Sequence, residues 1–430
     1  MEIVVYVGGA LLFFALVMAS VALHEVGHLV PAKLFGIKAT QYFVGFGRTL
    51  WSTRRGETEY GVKLLPLGGY VKMVGMLPPG KHGEMRNSST GLFAQIIDGA
   101  REAEWEDITP EDDGRLFHQK PPWQKLIVMA GGPIVNVILA FVLLLAVGVT
   151  YGNPRSTLVV NTVSECIVPA DQADRACAPG DPATPAKAAG LQPGDRLVSM
   201  NGVTLTDWDQ TSELIRRNLD QPMVLVVERD GQTKELRTTT VITGVADRVD
   251  PKKRVQAGFL GVSPVVELQR GGPVETLEDM GSMTQTVFHT IIRFPVRVYQ
   301  VAADLVTGQP RDVNGPMSIV GASRVAGEIA STDKIASPDK VATFVSTLGA
   351  VNLFLALFNF VPLLPLDGGH IAGALWEWLR RGLARLTKRP DPGPVDTAKM
   401  MPVAYVMAAV IGLSGLVLIV ADIIDPVRLF

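Results

Sequence analysis

The chain has 430 residues, of which 47% are hydrophobic and only 19% are charged. Charged residues make up about a quarter of typical soluble domains, so membrane spans are the first feature to test. The net charge of −2 and the absence of a basic tract give no indication of nucleic-acid binding. Two cysteines, Cys166 and Cys177, are too few for a cysteine-ligated zinc site or a disulfide-dense scaffold.

Four uncharged stretches are long enough to cross a bilayer, which requires about 20 mostly apolar residues. They are residues 3–23, 126–151, 341–366 and 400–421. The first stretch could be a signal peptide, but Glu2 precedes it without any Lys or Arg, and it exceeds the usual length of a signal-peptide core. We therefore expect a multi-pass α-helical membrane protein with four spans. Four buried helices of a soluble protein are the alternative.

Lys and Arg in short loops predict the orientation of the spans. Three basic residues follow the first span within 33–48, and six lie between the third and fourth spans within 380–399. Both loops are therefore expected to be cytoplasmic. This places both termini and the long segment 152–340 outside the cytoplasm.

The region after the first span predicts a β-hairpin, because residues 41–51 and 58–73 are rich in Tyr, Phe, Val and Trp and flank a turn at 53–57. Gly45 and Gly47 indicate close approach of the backbone. The hairpin is too apolar for water, so we expect it to be re-entrant and packed against the helices. A polar insertion at 78–119 follows, in which 91–108 could be a short amphipathic helix or a solvated loop.

The external segment divides into two parts. Residues 156–245 predict short strands and turns with one helix near 208–219. Residues 246–340 predict a linker in which 280–308 form an amphipathic helix resting on the membrane, since Arg293, Pro295 and Arg297 interrupt the apolar pattern. Both cysteines fall outside the cytoplasm, where disulfides persist. We predict that they pair, with two independent thiols as the alternative.

The sequence HEVGH at residues 24–28 carries strong chemical content. Helical residues four apart share a face, so His24 and His28 can bind one metal ion. Glu25 would then be placed to take a proton from a zinc-bound water, whose pKa falls to about 7. Ionisable residues in a span are costly and indicate function. A helix cap at the membrane surface is the alternative.

A catalytic zinc site needs a third protein ligand. A third His soon after the motif is excluded, because Pro31 and Leu34 occupy the corresponding positions. Asp367 ends the third span, which is expected to run in the same direction as the first, so both would reach the same depth. His370 is a rival ligand. The other histidines lie in loops or amphipathic segments and are expected to be ordinary: His82, His118 and His289.

The residues before Asp367 predict a break in the third span. Pro362 and Pro365 should unwind the helix and free backbone groups that could pair with an extended substrate. Asn359 could hydrogen-bond such a substrate, or it could make an interhelical polar contact.

HEVGH, the segment GGPIVN at 131–136, and the run from Asn359 to Gly368 with its LDG ending together resemble the site-2 protease family. The closest likeness is to bacterial members of the regulator-of-sigma-E protease type, in peptidase family M50, over nearly the whole chain. The resemblance implies that His24, His28 and Asp367 bind Zn²⁺ and that Glu25 is the general base. It also implies that the hairpin contacts the substrate, including Gly45, Phe46, Gly47 and Val71.

Residues 190–202 resemble part of a bacterial PDZ domain, so 156–245 is expected to be an extracytoplasmic PDZ-like α+β domain that binds a peptide or a substrate ectodomain. The chain has one such domain where the best-known family member has two, and its insertion at 78–119 is longer. The predicted order of segments is 1–28, 29–125, 126–151, 156–245, 246–340, 341–368, 369–399 and 400–421.

By resemblance, the substrates are single-span membrane proteins already trimmed outside, notably anti-sigma factors, cleaved in the bacterial plasma membrane during regulated intramembrane proteolysis. Three alternatives stay open at this point. The same site could clear remnant signal peptides. The chain could be a non-catalytic PDZ scaffold, or its intramembrane His and Asp residues could mark the path of a metal transporter.

Overall fold

The computed structural model describes residues 2–78, 97, 99, 101–102, 108–168, 175–246, 254–309, 311–312 and 315–427. The segment 91–108, expected to be a helix or a loop, lies almost wholly outside these residues. The chain forms two compact units, one of Met1–Val147 with Gly272–Phe430 and one of Gly148–Gly271.

The helices and strands follow in chain order. The helices are α1 (Glu2–Leu34), α2 (Pro122–Thr150), α3 (Pro185–Ala188), α4 (Trp208–Arg217), α5 (Pro273–Thr307), α6 (Ile319–Ser331), α7 (Ser337–Asn359), α8 (Asp367–Leu386) and α9 (Met401–Ile424). The strands are β1 (Ala39–Arg55), β2 (Thr58–Met73), β3 (Asn153–Val163), β4 (Arg196–Met200), β5 (Val203–Thr204), β6 (Met223–Arg229), β7 (Gln232–Thr238), β8 (Val241–Ala246), β9 (Arg254–Phe259) and β10 (Val262–Gln269).

Among the described residues, α1, α2, α7 and α9 are long and apolar enough to cross a membrane. They coincide with the four predicted stretches, but two ends differ. Helix α1 continues past the HEVGH motif to Leu34, with Pro31 inside it. Helix α7 ends at Asn359 rather than at residue 366, because prolines at 362 and 365 cannot continue a helix.

The region after α7 also differs from the prediction. Residues 360–366 form a bend, and α8 begins at Asp367. The segment 369–399, predicted as a loop, therefore contains most of a 20-residue helix.

Two helices lie in the region predicted as a linker. Helix α5 matches the expected amphipathic helix but starts earlier and runs through Pro295 without a break. Helix α6 was not predicted. It packs closely on α1: a Cβ atom at Gly327 would lie 2.7 Å from the Tyr6 carbonyl oxygen. Small residues permit such close approach between helices.

Strands β1 and β2 pair in antiparallel fashion and bend back on each other. Tyr42 in β1 pairs with Tyr60 on one side and with Val71 on the other. The two long strands therefore make a small sheet whose edge is the last part of β2, residues 69–73. The hairpin also contacts α1, since the Tyr42 hydroxyl donates to the Ala22 carbonyl at 2.8 Å.

The unit Gly148–Gly271 is built on a sheet with strand order β10-β3-β4-β6-β7, with β5 paired to β4, and a separate β8-β9 pair. Its core includes Val160, Leu197 and Leu225, all nearly inaccessible to solvent. The sequence placed the end of this domain near residue 245, but β10 pairs with β3 and extends the unit to Gly271. Cys166 and Cys177 form a disulfide with a Cα–Cα distance of 5.9 Å.

Candidate metal centre

Three side chains from two helices converge on one point inside the first unit. His24 Nε2 and His28 Nε2 lie 3.2 Å apart, and Asp367 Oδ2 lies 3.2 Å from the first and 3.3 Å from the second. The two imidazoles come from adjacent turns of α1, and the carboxylate comes from the first residue of α8. All three ligand atoms lie close enough to share one ion.

These distances fit a tetrahedral zinc ion. Zinc–ligand bonds of about 2.0–2.1 Å place tetrahedral ligand atoms about 3.3 Å apart. Two His and one carboxylate are also a donor set that zinc enzymes use, leaving a fourth position open. The residues present therefore fit a catalytic zinc ion.

A backbone contact sets the orientation of His28. Its Nδ1 lies 2.8 Å from the Val128 carbonyl oxygen on α2. A carbonyl oxygen can only accept a hydrogen bond, so Nδ1 carries the hydrogen. Nε2 is then unprotonated, and its lone pair is available at the point where the three side chains converge. Such outer contacts fix the tautomer of metal-binding histidines. The buried His24 Nδ1, by contrast, has no hydrogen-bond partner among the described residues.

Glycines let α1 and α2 approach closely at this level. A side chain at Gly131 would overlap the Gly27 carbonyl. A methyl group at Gly132 would overlap His28 Nε2 and lie 2.7 Å from His24 Nε2. The GG pair was part of the predicted family motif, but its packing role was missed. Adjacent glycines in an apolar helix are the signal that could have indicated it.

Glu25 is buried beside the ligands, with 9% of its surface exposed. The Val71 backbone N–H, at the edge of the hairpin, faces the Glu25 carboxylate. A Cβ atom at Gly69 would lie 2.9 Å from Glu25 Cγ, so this edge lies directly against the acid. Val71 was predicted to contact the substrate; in the structure its N–H faces Glu25.

One cavity of about 570 Å³ joins these groups. It is lined by the three ligands, Glu25, Phe46, Val71 and Asn359, all of which were predicted site residues. Gly45 and Gly47 do not line it. Both have positive φ values, 94° and 84°, which suit glycine, and they shape the strand beside Phe46.

Two further residues belong to this cavity. His370, the rival ligand, lines it, but its ring nitrogens do not converge with the ligand atoms of His24, His28 and Asp367. Asn136 on α2 also lines it, with 1% of its surface exposed and its Oδ1 without a partner among the described residues. Asn136 was not predicted as a site residue. A lone Asn in an apolar helix is the signal that could have indicated one.

Comparison with known proteins finds one matching family model and several similar chains. The model of peptidase family M50 matches residues 12–389. The chain is 31% identical to the zinc metalloprotease Rip1 of Mycobacterium tuberculosis, over 99% of both chains. It is 30% identical to Rip1 of Mycolicibacterium smegmatis, over 98% of both chains. The identity to the zinc metalloprotease RasP of Shouchella clausii is 26%, over 86% of this chain and 90% of RasP.

Proposed function

This chain belongs to peptidase family M50, the site-2 protease family, and from that premise we propose that it is a zinc metalloendopeptidase that cleaves single-span membrane proteins within the bilayer. The observation that carries the proposal is the convergence of Asp367, at the start of α8, with His24 and His28 beside Glu25; these last three residues lie on α1, a helix apolar enough to cross a membrane. Buried ionisable groups in such a helix are costly and mark function.

The roles of the residues follow from their positions. His24, His28 and Asp367 would hold the zinc ion, which when bound supplies a Lewis acid and lowers the pKa of water. Glu25 would take the proton of the attacking water and return it to the leaving nitrogen. The Val71 N–H would keep the Glu25 carboxylate facing the cavity.

The hairpin supports an extended substrate in this site. Helical substrates hide their carbonyl groups in internal hydrogen bonds and must unwind before hydrolysis. The sheet edge at 69–73 lines the cavity and would offer its main chain to the unwound segment, as in strand addition. Phe46 and Asn359 line the same space and would contact the substrate.

The proposed setting is the bacterial plasma membrane, with the metal centre near the cytoplasmic face and both termini outside, as the basic residues at 33–48 and 380–399 indicate. We propose that the unit Gly148–Gly271 is PDZ-like and binds the external part of a substrate. Anti-sigma factors trimmed outside are the proposed substrates. Clearance of remnant signal peptides would use the same residues, and comparing membrane peptides in cells with and without the protein separates the two roles.

Purified protein incubated with a tagged single-span substrate tests the proposal. We expect cleavage by the wild type, its loss on adding a chelator, and its recovery on adding zinc. The matched control is the Glu25→Gln variant, which should bind zinc normally and leave the substrate intact. Zinc-replete protein that never cleaves any single-span substrate would favour a non-catalytic scaffold.

A further inference from the structure

Helix α8 presents an apolar face that no described residue covers. Leu375, Trp378, Leu379 and Leu383 are each about half exposed, and Leu386 is 82% exposed. With Gly382 they line a shallow groove of about 370 Å³. Their spacing of three and four residues places them on one side of the helix, within an arc of roughly 140°. Contiguous exposed apolar patches of this kind mark an interaction surface.

Basic residues flank this face. Arg380 and Arg385 lie at its two borders on the helix, and Lys388 and Arg389 follow directly after the helix ends. Arg380 donates to the Pro392 carbonyl oxygen. The side chains of Arg385, Lys388 and Arg389 are exposed and make no ion pair with a described residue. The surface beside the apolar face is therefore positively charged.

The single acid between residues 375 and 389 is turned away from this face. Glu377 is buried on the opposite side of α8 and lies 2.8 Å from Lys125 Nζ. Lys125 belongs to the first turn of α2, one of the helices long enough to cross a membrane. The ion pair thus places the apolar face level with the end of a candidate span, where the apolar surface of the bilayer meets water.

We propose that the face formed by Leu375, Trp378, Leu379, Leu383 and Leu386 inserts into the membrane interface and that Arg385, Lys388 and Arg389 bind the headgroups of anionic lipids. An apolar face with Trp, bordered by Lys and Arg, is typical of a helix that lies in the interfacial plane. Basic clusters beside a span attract anionic headgroups. The inference does not depend on proteolysis, because it rests only on α8 and its ion pair with α2.

Spin labels can separate lipid, water and protein as the occupant of this face. Leu379→Cys and Leu383→Cys would be labelled in the full chain, with Cys166 and Cys177 kept oxidised, and reconstituted in vesicles of phosphatidylcholine and phosphatidylglycerol. Leu413→Cys on α9 is the control for lipid, and Val203→Cys in β5 is the control for water; both positions are exposed apolar residues. Collision with oxygen and with a water-soluble nickel complex is then measured.

We expect both labels on α8 to meet oxygen often and the nickel complex rarely, as at Leu413. Frequent collision with nickel, as at Val203, would show that the face lies in water and would overturn the proposal. Rare collision with both reagents would show that a protein covers the face, either a second copy of this chain or another partner, and would overturn it equally.

The headgroup assignment needs a second measurement. Fluorescence of Trp376 and Trp378 is obtained as the difference between the wild type and the Trp376→Phe/Trp378→Phe variant. Quenching by brominated phosphatidylglycerol should exceed quenching by brominated phosphatidylcholine roughly twofold in the wild type. The preference should disappear in Arg385→Gln/Lys388→Gln/Arg389→Gln. Equal quenching by the two lipids in the wild type would contradict anionic selectivity.

Discussion

Two aspartates, one in each compact unit, have opposite surroundings; Asp195 is buried and Asp367 is partly buried. Both carboxylate oxygens of Asp195, in the unit Gly148–Gly271, accept hydrogen bonds. Arg229 donates to each oxygen at 2.7 Å, and the Gln192 N–H donates to one of them at 2.8 Å. Asp367 in the other unit faces two imidazole nitrogens and, among the described residues, no Arg or Lys. A carboxylate already matched by a guanidinium has a structural role. One matched only by histidines is suited to a metal ion.

The largest expected effect tests the metal side of this comparison. Asp367→Asn should lose bound zinc and all cleavage, since one charged ligand is replaced by a weak one. Glu25→Gln should keep about one zinc ion per chain but lower turnover by about 10²–10⁴-fold, because only the general base is removed. Zinc content by mass spectrometry and turnover are measured on the same samples. Full activity of Glu25→Gln would refute the assigned mechanism.

The next largest effect is expected at Gly132, where α1 and α2 approach closely beside the metal ligands. Gly132→Ala should reduce zinc affinity by about 10–100-fold, because the added methyl group displaces His24 and His28 from their positions. Gly412→Ala on α9 is the matched control, since a Cβ atom there meets nothing within 4 Å. Competition with a zinc-binding dye compares the two variants. Equal affinities would mean that the ligands do not depend on the close approach of α1 and α2.

The close approach of α1 and α2 is a feature of the site that could not be predicted from the sequence. Helical spacing indicates that His24 and His28 act together, and the shared direction of the first and third spans predicts Asp367 at the same depth. Both inferences need only the pattern of apolar and basic residues along the chain. The need for glycine at 131 and 132 comes from the close approach of α1 and α2, where an added side chain would overlap α1. That approach depends on how two helices distant in sequence cross, and the sequence of one helix does not determine it.

Tertiary pairing also explains the missed elements of the fold. Helix α6 is rich in small residues and is only marginally apolar, so its stability comes from packing on α1 rather than from its own pattern. Strand β10 was missed for a similar reason, because its partner β3 lies about a hundred residues earlier in the sequence. The sequence therefore indicated a linker where the sheet continues.

A change at the hairpin edge is expected to have a smaller effect on turnover at the metal centre. Val71→Pro should lower turnover about 10-fold or more without loss of zinc, because the N–H that faces Glu25 is removed, and a hydrogen bond to a charged group contributes about 1.5–3 kcal/mol. Val71→Ala keeps this N–H and should remain close to wild type. Turnover and zinc content are measured for both variants. If Val71→Pro turns over normally, the hairpin does not orient Glu25.

The smallest effect tests the structural aspartate. Asp195→Asn should lower the stability of its unit by about 1–3 kcal/mol, because the charged hydrogen bonds with Arg229 are lost, while zinc content and basal turnover stay unchanged.

Arg229 and the Gln192 N–H hold the pKa of Asp195 below its usual value despite its burial. A lowered pKa stabilises the folded state above the unfolded pKa of about 3.9, and this contribution is lost as the pH falls through the lower, folded pKa. The difference between wild type and Asp195→Asn should therefore be largest near neutral pH and shrink below about pH 4. Limited proteolysis of the full chain, scored for cuts within 148–271 at several pH values, measures it. A loss of zinc in Asp195→Asn would instead show that the two aspartates are coupled.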